Sequence, residues 1–99
     1  MQVANVVRMR VRPGEERRFL DTQAQAEARG WAGLRSAYIA KVGERDFVFV
    51  GEWESEAALA AARPQMVAEL DRIRDCLEDR GGAMGVTDPQ SGEIVLRLR

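Results

Sequence analysis

The chain has 99 residues, about the size of one domain. Its 15 basic and 16 acidic residues are interleaved, with no clustered basic face for nucleic acid, and no apolar run approaches the roughly 20 residues of a membrane span. With one cysteine and no histidine, the sequence excludes an internal disulfide, Cys/His zinc sites, His-ligated haem and His-dependent triads.

A carboxylate-only Mg²⁺ site is not excluded, but no acidic spacing favours one, so we expect no metal and no cofactor. The start of the chain shows no basic region followed by an apolar core, and we therefore expect a cytoplasmic protein.

The first half of the chain predicts strand, helix, strand. Residues 3–12 alternate with period two, with Asn5 on the otherwise apolar odd face, and Pro13-Gly14 ends the strand. Residues 15–29 predict a helix that stops at a left-handed Gly30. Residues 34–42 predict the second strand.

After a four-residue hairpin loop, residues 47–53 form the strongest predicted strand. It has aromatic side chains on one face and valines on the other, so we expect it to be central and covered on both sides.

The second half predicts a helix and a last strand. Ser55 is a suitable N-cap, and we expect a break at Pro64 followed by a second helical piece that Gly81-Gly82 ends. Residues 83–92 are interpreted as a loop, and residues 94–98 as the final strand.

The order of these elements is that of a ferredoxin-like α+β domain, βαββαβ, spanning residues 1–99. Its antiparallel sheet carries both helices on one face. The other face stays uncovered in a single chain, although the central strand is apolar on both sides. We therefore expect a homodimer that covers it.

Three short motifs resemble the antibiotic biosynthesis monooxygenase (ABM) family. They are the Arg-Pro-Gly-Glu-Glu turn at 12–16, the segment Val-Gly-Glu-Trp-Glu-Ser at 50–55 with the helix start that follows it, and the step Pro-Gln-Met at 64–66. The resemblance implies a dimeric α+β barrel with a pocket between sheet and helices. Some members oxidise electron-rich phenolic or anthrone-type substrates with O₂ and no metal or flavin, and others degrade haem.

One departure bears on function. Members of the family often carry a histidine just after the helix-breaking proline, where this chain has Gln65, with Arg63 just before the proline. Because haem-degrading members ligate iron through a histidine, the sequence disfavours haem degradation.

Two residues are predicted to be catalytic. Asn5 resembles the strand-one asparagine of some catalytic members and would donate to a substrate enolate or to reduced oxygen; its alternative is an inward amide satisfied by backbone or water. Trp53 matches the family tryptophan and would line the pocket and donate its N–H; its alternative is plain packing.

Four further residues are candidate substrate contacts. Arg63 would neutralise an anionic substrate and Gln65 is a weaker candidate beside it. Tyr38 would place its hydroxyl in the cavity, and Phe49 shares the face of Trp53, although core or interface packing is the alternative for it.

Three functional hypotheses remain open at this point. The first is a cofactor-independent monooxygenase acting on a small quinol- or anthrone-like aromatic. The second is a non-catalytic dimeric barrel that binds a small apolar ligand or serves as an interaction module. A dimeric-barrel isomerase or lyase is the third, without a residue of its own to support it. Without histidine, no side chain has an unperturbed pKa near neutrality to act as the base.

Overall fold

The computed structural model describes residues 1–26, 30–79 and 85–99. The strands are β1 (Val3–Arg10), β2 (Leu34–Lys41), β3 (Asp46–Trp53) and β4 (Asp88–Glu93), and the helices are α1 (Glu16–Ala24) and α2 (Glu56–Ile73). A short 3₁₀ turn, Arg74–Cys76, follows α2. None of the helices in the described ranges is long and apolar enough to cross a membrane.

The four strands form one antiparallel sheet in the order β2-β3-β1-β4. This is the ferredoxin-like α+β arrangement that the sequence predicts, with β3 and β1 in the centre. The register places Val3 opposite Trp53, Asn5 opposite Gly51 and Val7 opposite Phe49. Because side chains alternate along a strand, these residues share the sheet face on which the helices pack.

The buried side chains on that face form two groups. The first, which we call the closed cluster, consists of Met9, Val11, Phe19, Phe47, Ile73, Cys76 and Leu77. The second, the open cluster, consists of Val3, Trp53, Leu59 and Ala62, with Trp31, Leu34, Ala58 and Met66 packed against it. Helix α2 contributes to both clusters and so runs the length of the sheet.

Helix α2 corrects the prediction of a break at Pro64. It begins at the predicted N-cap, where the Ser55 side chain accepts a hydrogen bond from the Ala58 N–H at 3.1 Å, and continues through Pro64 to Ile73. Proline removes one backbone hydrogen bond, to the carbonyl of Ala60. Ala60 and Pro64 are both exposed, so water can solvate that carbonyl while packing at both ends holds the helix together.

The last strand also differs from the prediction. Strand β4 covers Asp88–Glu93 and pairs with β1, although residues 83–92 were interpreted from sequence as a loop. The predicted strand at residues 94–98 has no regular secondary structure. The turn-like composition of β4 is tolerated because it is an edge strand, where proline and polar residues are admitted.

Helix α1 ends at Ala24, earlier than predicted, and Gly30 is not left-handed. The positive φ near this connection belongs to Gly33 at +81°, where a Cβ atom would lie 2.5 Å from the Ala58 Cβ. The predicted stop at Gly81-Gly82 falls outside the described residues.

Candidate functional site

A cavity of about 470 Å³ lies between the sheet and α2, and residues of both clusters border it. The sheet lines one wall, with side chains from β1, β3 and β4, and α2 lines the other. The lining is mostly apolar, as in most small-molecule sites. Its members are Asn5, Val7, Met9, Gln23, Trp31, Phe49, Leu59, Arg63, Met66, Val67, Glu69, Leu70, Ile73, Thr87, Pro89, Gln90 and Ser91.

The helix wall follows from the spacing of residues along α2. Leu59, Arg63, Met66, Leu70 and Ile73 recur at alternating intervals of four and three residues, which places them on one face of a helix. Four of the five are apolar and face the sheet across the cavity. Arg63 is the cation in this stripe.

The polar centre of the sheet wall is a hydrogen bond between two buried side chains. The Trp53 Nε1–H donates to the Asn5 Oδ1 at 2.8 Å. Asn5 is 4% exposed and Trp53 is fully buried. Because an indole nitrogen is only a donor, it fixes the orientation of the amide: the oxygen faces Trp53, and the NH₂ group retains its two donors.

Gly51 provides the space in which this pair meets. It lies opposite Asn5 in the register, and a Cβ atom there would lie 2.5 Å from the Asn5 Oδ1 and 3.0 Å from the Trp53 Nε1. It would also lie 3.1 Å from the Phe49 ring. Any side chain at this position would therefore displace the pair. This role of Gly51 could not be predicted from local sequence, because it depends on the pairing of β1 with β3.

Trp31, in the connection between α1 and β2, forms an aromatic wall of the cavity. Its ring stacks on that of Trp53, with centroids 6.2 Å apart and planes inclined by 15°, and it lines the cavity. Trp53 therefore lies behind both Asn5 and Trp31. The sequence contains six aromatic residues, two of them tryptophans, and this was its only indication of a stacked tryptophan pair.

Among the described residues, two charged side chains line the cavity, Arg63 and Glu69. The Glu69 Oε2 lies 3.5 Å from the Arg72 Nη1, so this carboxylate has a cationic neighbour. Arg63 is exposed, and it makes no ion pair or side-chain hydrogen bond with the rest of the described chain. Glu69 was not among the site residues predicted from the sequence.

The structure brings together three of the six predicted site residues at the cavity surface: Asn5, Phe49 and Arg63. Contrary to the prediction, Trp53 does not line the cavity, and its N–H donates to Asn5. It is positioned to orient Asn5 rather than to contact a ligand.

The other two predicted residues lie elsewhere. Tyr38 is opposite Val50, on the sheet face away from the helices, and is 55% exposed, so its hydroxyl is not in this cavity. Gln65 is exposed on α2 and is not part of the lining. Across residues 1–26, 30–79 and 85–99, no group of three or more Cys, Asp or Glu side chains is placed to hold a metal ion.

Comparisons with known proteins agree with this architecture. Residues 2–64 match the family model described as antibiotic biosynthesis monooxygenase. No curated protein matches the chain.

Three solved structures illustrate the shared fold. Protein NE2512 of unknown function from Nitrosomonas europaea is 22% identical, with a TM-score of 0.78 over 97% of this chain and 91% of that one. A variant of SnoaB, a cofactor-independent oxygenase from Streptomyces nogalater, is 14% identical, with a TM-score of 0.78 over 98% and 96%. Rv0793 from Mycobacterium tuberculosis is 16% identical, with a TM-score of 0.77 over the whole of both chains.

Proposed function

The chain belongs to the antibiotic biosynthesis monooxygenase family, and from that premise we propose that its cavity binds a small electron-rich aromatic and supports its oxidation by O₂ without a metal or an organic cofactor. The family includes cofactor-independent oxygenases such as SnoaB, which shares this fold. The substrates proposed are quinols and anthrones, as the sequence analysis anticipated. The observation that carries the proposal is the Asn5 amide, held by Trp53 at the wall of an apolar cavity.

The amide is suited to stabilising an anion. With its oxygen fixed on the indole N–H, Asn5 has two N–H donors left, and its orientation is set before a ligand binds. Preorganised donors in a largely apolar site stabilise developing negative charge more strongly than water does. An oxidation that begins by ionising the substrate would benefit from this arrangement.

The reaction requires little more from the protein. The substrate carbon acid or phenol loses a proton, and Glu69, the carboxylate in the lining, is the proposed acceptor, directly or through water. The anion gives one electron to O₂, and the radical pair combines to a peroxide anion, which takes up a proton. Where the peroxide carbon still bears a hydrogen, as in an anthrone, loss of water then leaves the carbonyl, so an anthrone CH₂ and O₂ become a quinone C=O and H₂O.

Oxygen consumption with a panel of anthrones and quinols tests this proposal. Wild type should consume oxygen faster than buffer alone. The rate above this background should be at least tenfold lower for Asn5→Ala than for wild type. Arg35→Gln, which changes an exposed arginine outside the lining, should match wild type. Equal rates for wild type and Asn5→Ala, with both proteins folded by circular dichroism, would refute the catalytic assignment.

A binding domain without turnover is the second candidate function. It is favoured by the fact that the Trp53 N–H and the Asn5 oxygen satisfy one another, as a purely structural pair would. Saturable binding of an aromatic ligand, with wild-type oxygen consumption equal to that of buffer, would select this function over the first.

We also propose that the protein is a homodimer. The sheet face opposite the helices bears Val6, Val48 and Val50, and the helices α1 and α2 pack on the other face. The tail after β4 exposes Val95, Leu96 and Leu98, and Arg97 fastens it to Glu52 on that face, at 2.8 Å. A second copy would cover both apolar surfaces. A sedimentation mass of one 11.1 kDa chain at micromolar concentration would refute the dimer.

A further inference from the structure

The two charged residues of the described lining differ in whether they have a partner of opposite charge. Glu69 has Arg72 beside it, whereas Arg63 has no anionic partner among the described residues. Elsewhere in the described chain Arg10, Arg18 and Arg97 each pair with a carboxylate at 2.8–3.0 Å. Within the described ranges, other arginines also lack a carboxylate partner but lie outside the cavity: Arg8, Arg12, Arg17, Arg35 and Arg99.

The position of Arg63 on α2 defines what its guanidinium can reach. It lies one turn after Leu59 and three residues before Met66, so its aliphatic stem belongs to the apolar stripe while its charged end stays at the solvent. Asn5 is on the facing wall, in the sheet. A ligand that contacts both residues therefore spans the cavity from helix to sheet.

We propose that the ligand of this cavity is an aromatic acid, whose carboxylate or equivalent anionic group pairs with Arg63 at the solvent end. Its ring lies against Trp31 and Phe49, and the end that reacts points to Asn5. A planar guanidinium is the side chain best matched to a carboxylate, because it forms two parallel hydrogen bonds with it. This inference deepens the proposed function and rests on it for the identity of the reacting end, but the anion preference is a binding property by itself.

Two fluorescent probes that share their rings and differ in charge measure the preference. These are 8-anilinonaphthalene-1-sulfonate, an anion, and N-phenyl-1-naphthylamine, which is neutral. Both are titrated into wild type, Arg63→Gln, Arg63→Lys and the control Arg35→Gln, the folded state of each variant being checked by its melting temperature.

Arg63→Gln should weaken the anionic probe five- to tenfold and change the neutral probe less than twofold. Arg63→Lys should retain most of the anion affinity, and Arg35→Gln should alter neither probe. Raising the salt from 50 to 500 mM should weaken the anionic probe on wild type but not on Arg63→Gln, because salt screens an exposed charge.

The proposal is overturned if Arg63→Gln weakens both probes equally, since the stem alone would then matter, or if it weakens neither. Its failure is separable from that of the proposed function. Anion-selective binding with no oxygen consumption would leave this inference standing and remove the monooxygenase. Oxidation that is equally fast for neutral and anionic substrates and insensitive to Arg63→Gln would do the reverse.

Discussion

The closed cluster and the open cluster lie on the same face of the same sheet, yet they differ in what they contain. The closed cluster is wholly apolar apart from the Cys76 thiol, and its Phe19 and Phe47 rings pack with centroids 5.1 Å apart. The open cluster holds Trp53, which is hydrogen-bonded to Asn5, and it borders the cavity through Trp31, Leu59 and Met66. The two ends of the sheet therefore differ in polarity: the buried hydrogen bond between side chains lies at the open cluster.

Backbone hydrogen bonds stabilise the closed cluster in addition to the packing of its side chains. After β1, Val11 bridges to Leu77, the Arg12 N–H donates to the Cys76 carbonyl, and the Glu78 N–H donates to the Arg10 carbonyl. These bonds hold the segment that follows α2 against the sheet. The closed cluster also supplies Met9 and Ile73 to one end of the cavity, so the tightly packed core and the cavity share a boundary along α2.

The largest expected effect is on the closed cluster. Phe47→Ala should lower the free energy of unfolding by about 3–5 kcal/mol, because it removes a fully packed aromatic ring. Phe49 lies on the same face of the same strand and packs on the closed cluster from the side of the cavity. Phe49→Ala should cost about half as much or less, because this ring is only partly buried and one side of it borders empty space. Urea denaturation measures both. Equal losses would contradict the partial burial of the Phe49 ring at the cavity.

The second effect concerns Gly51. Gly51→Ala should cost about 1–3 kcal/mol, because the new methyl group overlaps the Asn5 oxygen and must displace it. It should also reduce any oxidation rate as much as Asn5→Ala does. Gly92→Ala is the matched control, since a Cβ there meets nothing within 4 Å, and its effect should stay within about 0.5 kcal/mol. Thermal melting of the two variants would show whether the steric argument fails.

The third effect is the coupling between Asn5 and Trp53. Trp53→Phe and Asn5→Val should each cost about 1–3 kcal/mol beyond their change in packing, because each leaves a buried polar group unpaired. The double variant should lose about 1 kcal/mol less than the sum of the two. As a control, Trp53→Phe combined with Phe19→Leu, which lies in the other cluster, should be additive. Additivity in both cycles would mean that the bond contributes nothing.

The smallest effect is a dependence of stability on pH. Burial raises the pKa of the Cys76 thiol above its ordinary value of 9.0, and the nearby Arg18 guanidinium opposes this. The folded chain therefore holds the thiol proton more tightly than the unfolded chain, so the contribution is complete below pH 9 and is lost as the pH rises through the folded value. Cys76→Ala should abolish this part of the slope in urea midpoints between pH 8 and 10, measured with reductant. An unchanged slope would contradict it.

Local patterns predicted much of the fold. The valine and aromatic faces of residues 47–53 indicated a central strand, and Ser55 indicated the start of α2; the structure confirms both. The predictions failed where packing overrode local preference: at Pro64, which a helix packed at both ends accommodates, and at residues 88–93, which pair with β1 despite a turn-like composition.

The candidate site divides in the same way. Alternation along β1 was enough to turn Asn5 inward, and the absence of histidine was enough to disfavour histidine-ligated haem. The partner of Asn5 is 48 positions away along the chain. Only the register between β1 and β3 brings Trp53 to it, leaves room for both beside Gly51, and turns Tyr38 to the other face. The sequence by itself determined which elements form and which faces they bury, because these follow from local periodicity. The tertiary structure decided which side chains meet, because that depends on pairing between distant strands.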